Sequence, residues 1–236
     1  MKISKETGVA LILGLIIFSD KSNASNLQSS QTLILESELE LAQVNFEDAA
    51  KYFNSGNQRL DKGDYKGAIA DFNKAIEINP NFAEAYINRG TASYGLKDYQ
   101  KAMNDYNKAI EINPKLAKAY VRRSCVHIKL KDYQGVISDS NKAIEINPNF
   151  AGVYINRGFA FYKLKDYRAE IADYTKAIEI NPNFAHAYYN RGLALNRLKD
   201  YQGAIADYTK AIKINPKDAD VYYSRGSTRD DLKDYQ

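Results

Sequence analysis

Apolar and small residues along this chain fall at helical spacing in short blocks, and the blocks come in pairs. Residues 83–116 show the pattern. Ala85, Tyr86, Arg89, Gly90 and Ser93 share one face of a predicted first helix that ends near Leu96-Lys97. Asp98 follows, and its side-chain oxygen is placed to cap a second helix. That helix runs through Ala102, Tyr106, Ala109 and Ile110 and stops at Asn113-Pro114, because the residue before a proline is pushed out of the α region.

The pairs repeat. The five prolines, Pro80, Pro114, Pro148, Pro182 and Pro216, each stand 34 residues after the last. Aligned on them, the chain reads as five units, 49–82, 83–116, 117–150, 151–184 and 185–218, and an incomplete sixth, 219–236. The arrangement of Tyr86, Gly90, Tyr99, Ala102, Tyr106, Ala109 and Pro114 resembles the tetratricopeptide repeat (TPR), and the other complete units share it. The small residues permit close helix approach and the tyrosines fill the space around them. The resemblance implies an all-α fold: a right-handed superhelical solenoid of antiparallel helix pairs with a concave inner face. It also implies a non-catalytic scaffold for protein–protein interaction.

A repeat protein supplies its own internal comparison. A residue present in every unit serves folding, and a groove residue that differs from its counterparts is a better site candidate. Arg89, Arg123, Arg157, Arg191 and Arg225 hold one repeat position, and Asp71, Asp105, Asp139, Asp173 and Asp207 another. They are expected to form a structural charge ladder. The Leu-Lys-Asp-Tyr motif is a turn and cap. The third unit departs most: Ser124 replaces the glycine, Val136 the alanine and Ser140 the aromatic residue, and it contains Cys125. Glu170 stands where the other units place Ala68, Ala102, Val136 and Ala204, so it must reach solvent, find a partner or strain the helix crossing.

TPR domains that capture a partner's C-terminal carboxylate use a clamp of two Lys, two Asn and one Arg drawn from three consecutive units. By resemblance, Asn57, Asn88, Lys118 and Arg122 occupy four clamp positions, while Phe53 replaces the first lysine. Lys129, Lys163 and Arg197 follow at one late first-helix position in units three to five. Together these cations are expected to line the concave face and favour an acidic peptide, with Phe159, Tyr162 and Tyr189 supplying apolar contact. Lys118 and Arg122 equally fit a plainer role as solvated charges in a drifting unit.

Composition narrows the chemistry. The net charge is +4, with no basic block of the kind that dominates nucleic-acid binding. One cysteine precludes an internal disulfide, and two histidines with it make no zinc ligand set. No nucleophile elbow or phosphate loop is present, so neither enzyme activity nor a cofactor is expected. At the N-terminus, Lys2 and Lys5 precede an apolar run from Val9 to Phe18, and Ser22-Asn23-Ala24 follows. This is the layout of a signal peptide over 1–24 of an exported (periplasmic or secreted) protein, and the run is too short for a membrane span. Residues 25–48 read as a linker or capping helix. In the incomplete sixth unit Val221, Tyr222 and Leu232 are expected to lack cover, which suggests either a longer array or a homodimer paired through that end.

Overall fold

The computed structural model describes residues 47–232. The expected signal peptide (1–24) and most of the expected linker (25–48) lie outside the described residues, as do positions 233–236. The chain divides into Met1–Asp48 and Ala49–Gln236, and the architecture below is that of the second body.

Among the described residues there are eleven helices and no strand. Unit one comprises α1 (47–61) and α2 (Tyr65–Ile78). Unit two comprises α3 (Ala83–Gly95) and α4 (Tyr99–Ile112), and unit three α5 (Ala117–Leu130) and α6 (Tyr133–Ile146). Unit four comprises α7 (Ala151–Lys163) and α8 (Tyr167–Ile180), and unit five α9 (Ala185–Arg197) and α10 (Tyr201–Ile214). The first helix of unit six, α11, is Ala219–Asp231.

Local chemistry sets these boundaries. Each second helix opens on an aspartate whose carboxylate accepts a backbone N–H three residues on, as Asp98 does from Lys101 at 3.2 Å and Asp200 from Gly203 at 3.0 Å. Just before it one residue is left-handed: Gly63 at φ 77°, or Lys97, Lys131, Lys165 and Lys199 at φ 60–64°. At the far end the side chain of the asparagine before each proline accepts the N–H two residues later, closing an Asx turn at Asn79, Asn113, Asn147, Asn181 and Asn215.

Packing follows the same register. A Cβ added to Gly192 would lie 2.6 Å from the Tyr208 ring, so the glycine is what lets the buried aromatic sit against its first helix. Unit three solves the crossing differently. Ser124 and Ser140 replace both members of the glycine–aromatic pair, and the space lost to one is given up by the other. Ser140 is fully buried, and its hydroxyl has no hydrogen-bond partner.

The expected charge ladder is a set of ties between helices. Arg89, Arg123, Arg157 and Arg191 each grip the aspartate of their own second helix through Nε and Nη2, with shortest separations of 2.6 to 2.7 Å. Each also donates through Nη1 to the preceding second helix, at Asn73, Asn107, Asn141 and Thr175. Unit one has Ser55 at this position; Ser55 Oγ donates to Asp71 at 2.7 Å, and Arg59, one turn later, reaches the same carboxylate at 3.0 Å. These carboxylates therefore serve the scaffold.

Consecutive helices pack against each other throughout, and first helices also meet the first helix of the next unit: α3 with α5, α5 with α7, and α9 with α11. First helices therefore crowd on one side of the array.

Candidate functional site

The expected binding residues fall into two groups along the first-helix side. In units one to three, Asn88 Nδ2 donates to Asn57 Oδ1 at 2.7 Å, and Lys118 Nζ donates to Asn88 Oδ1 at 3.4 Å. Residues from three successive first helices are thus joined in one chain. Asn88 is buried, which fixes its amide, whereas Lys118 and Arg122 are exposed. Although Lys118 as a whole is exposed, partial loss of water around its ammonium, and then the nearby Arg122 charge, push its pKa down, with Glu84 opposing. Phe53, at the position of the absent lysine, packs against Phe82 and Phe72 at 4.7 and 5.9 Å, so it belongs to the hydrophobic interior.

The second group lies in units four and five. Arg197 stacks over Tyr162 at 4.4 Å, and Lys163 stands 4.9 Å from the same ring and 5.3 Å from Phe159. Tyr189 is separate from both: its ring packs 6.0 Å from Tyr208 and its hydroxyl is 3.5 Å from Ser224 Oγ. Lys129 is exposed and joins neither group. Cys125 is half-buried, with Asn156 Nδ2 donating to its Sγ at 3.7 Å.

Between α7 and α9 there is a cavity of about 360 Å³. Phe159 and Tyr162 of α7, Leu193 and Arg197 of α9, and Glu170 of α8 help line it. Of the three outcomes open to Glu170, none is fully realised. Its side chain is only 2% exposed. Oε1 is 3.7 Å from Arg197 Nη1, too long for a direct hydrogen bond, and Oε2 is buried with no partner. Burial pushes its pKa up from 4.5 to about 7, with Arg197 opposing. Sequence comparison flagged Glu170 as a packing anomaly and missed it as a site residue. The signal was present in its departure from a run of alanines, but not the direction of its side chain.

A second cavity, about 460 Å³, is lined by Arg89, Asp105, Asn73, Asp98 and Lys101. Those groups bond one another in the ties and caps already described, so it is scaffold.

Antiparallel helix pairs on a 34-residue period, tied by Arg–Asp pairs and lined on one side by first-helix residues, define a helical-repeat interaction scaffold. The chain belongs to the tetratricopeptide repeat family. Family models described as "TPR repeat" match residues 56–97 and 166–199, and others described as "Tetratricopeptide repeat" match 83–116, 117–150 and 185–218. No curated protein sequence matches. Among solved structures, the chain is similar to MamA at 25% identity and TM-score 0.64, covering 74% of this chain and 95% of that one. It is similar to YrrB, described as a TPR protein with an unusual peptide-binding site, at 22% identity and TM-score 0.64, covering 80% and 97%. Pseudomonas aeruginosa pilF shares the fold at 18% identity and TM-score 0.74, covering 80% and 86%. TPR repeats are generally non-catalytic modules, and the fold is that of a protein–protein interaction scaffold.

Proposed function

We propose that this scaffold holds its partner through an extended acidic segment, or a C-terminal carboxylate, laid along the first-helix side. The observation that carries this reading is the hydrogen-bonded chain Asn57–Asn88–Lys118 with Arg122 beside it. Two cations four residues apart raise each other's energy, and the first already has its amide partner fixed in place. A carboxylate relieves that repulsion and meets donors ordered before it arrives. Three charge-assisted hydrogen bonds at ~1.5–3 kcal/mol each, less the cost of association, correspond to roughly micromolar binding. Replacing Lys118 and Arg122 together by Ala is expected to weaken an acidic peptide at least tenfold and to flatten its salt dependence. Unchanged affinity at low and high salt in a fluorescence anisotropy titration would sink this reading.

The signal-like start of the chain supports export to the periplasm or medium. A second reading, pairing of two copies through unit six, is favoured by the exposure of Tyr222 and Tyr223, 44% and 79%.

A further inference from the structure

We propose that the cavity between α7 and α9 is a side-chain pocket for a carboxylate-bearing residue, Asp or Glu, of the partner segment, which it grips between the guanidinium of Arg197 and the carboxyl of Glu170. This rests on the reading of the groove as a binder of acidic segments and names the position at which acidity is read.

Four observations converge on the pocket. Glu170 occupies a crossing that the other units fill with Ala or Val. The cavity it lines is about 360 Å³, ample for one side chain. Its walls include Phe159, Tyr162 and Leu193, and Glu170 Oε1 and Arg197 Nη1 come within 3.7 Å of each other in it. The other carboxyl oxygen, Glu170 Oε2, is buried and unpartnered, a state with a standing cost that an occupant removes.

Charge decides the kind of occupant. Arg197 of α9 meets Glu170 directly; Tyr162 of α7, His186 and Asn190 of α9 and Tyr174 of α8 line the same cavity, and Lys163 stands at its edge over the Tyr162 and Phe159 rings. Asp173, also on α8, is tied to Arg157. Two cations border the pocket, Arg197 in its lining and Lys163 over the Tyr162 and Phe159 rings that wall it, against one unpaired carboxylate, so a cationic side chain would enter a surplus of positive charge. An anionic one enters with it. The entering carboxylate accepts from Arg197 and lies against Glu170, where two like charges in a dry site cannot both persist. Glu170 then holds a proton taken from solvent and donates it in a hydrogen bond to the ligand. Burial has already brought Glu170 to the point where that proton is easily gained, at about 7. Binding is therefore coupled to uptake of one proton.

The test uses the full chain, with N-acetyl-glutamate N-methylamide as probe and the matching glutamine and lysine compounds as comparators, followed by NMR. The glutamate compound is expected to shift resonances of Tyr162, His186, Leu193 and Arg197 saturably. Its dissociation constant should rise about tenfold from pH 6 to pH 8. Glu170→Gln, which keeps a donor at all pH values, should retain binding and lose the pH dependence, while Arg197→Ala should abolish binding. Imidazoles titrate in the same range, so His186→Gln is the control and should keep the pH dependence. Thermal unfolding of each variant verifies its fold. Equal or tighter binding of the glutamine or lysine compound, no saturable shifts in the pocket, or pH dependence that follows His186 would overturn the proposal. An acidic octapeptide separates the two readings. Shifts at Lys118 and Arg122 without shifts in the pocket overturn the pocket alone, and shifts at neither overturn the acidic groove as well.

Discussion

Glu170 illustrates how one side chain alters a repeat built on alanine. In the folded chain its carboxyl titrates near 7, raised by burial, against 4.5 when exposed. A carboxyl with a raised folded pKa favours folding in its protonated form. That contribution is complete below about pH 4.5 and is lost as pH rises through 7. Glu170→Gln removes the loss. The variant should match the parent at pH 4.5 and exceed it by roughly 2–3 kcal/mol at pH 8. Urea unfolding at several pH values measures this, and a difference that stays constant with pH would contradict it. At the same scale, Ser55 and Arg59 show that the carboxylate of each second helix must be satisfied, but not always from one sequence position.

At the scale of the element, the helix pair is specified by short-range rules that tolerate paired exchange. A left-handed residue, an aspartate cap and an Asx turn recur in the complete units. The crossing of the two helices is negotiated between positions. In unit three the aromatic anchor and its glycine have changed together, leaving Ser124, which donates to Val121 O at 2.8 Å, opposite Ser140. Ser140→Tyr alone should destabilise the chain by about 1–3 kcal/mol through overpacking against Ser124. Adding Ser124→Gly should recover most of that loss. A double-mutant cycle by chemical denaturation reads the coupling, and additive effects would show that the two sites are independent. The same comparison corrects one expectation for α11: Val221 is buried against unit five, and the exposed residues are Tyr222 and Tyr223.

For the whole molecule, a solenoid adds its units through nearest-neighbour contacts, so a substitution in one unit is felt mainly by its neighbours. One array therefore offers both a polar, hydrogen-bonded stretch in units one to three and an aromatic-walled pocket in units four and five. Export and self-association are tested on one preparation. Protein recovered from the exported fraction should have a mass corresponding to cleavage after Ala24. Light scattering on that material should give twice the chain mass, reverting to one on Tyr223→Ser if pairing runs through α11. An uncleaved chain argues against export, and a monomer at high concentration argues against pairing.

The sequence alone determined the period, the helix boundaries to within a residue or so, the aspartate caps and the family. These depend on neighbours a few residues apart, and five aligned copies of each rule reinforce one another. It also separated the recurring Arg and Asp residues from candidate groove residues. The tertiary structure decided what depends on residues from different units. It joined Asn57, Asn88 and Lys118, set Lys129 and Tyr189 apart from the two groups, and assigned Phe53 to the interior. It also placed Glu170, a departure from the repeat, in the lining of a cavity. The physical reason is that burial and partnership are properties of the space between helices. Position in a repeat fixes which face a side chain occupies, and only the packing of three consecutive helices fixes whether a partner awaits it there.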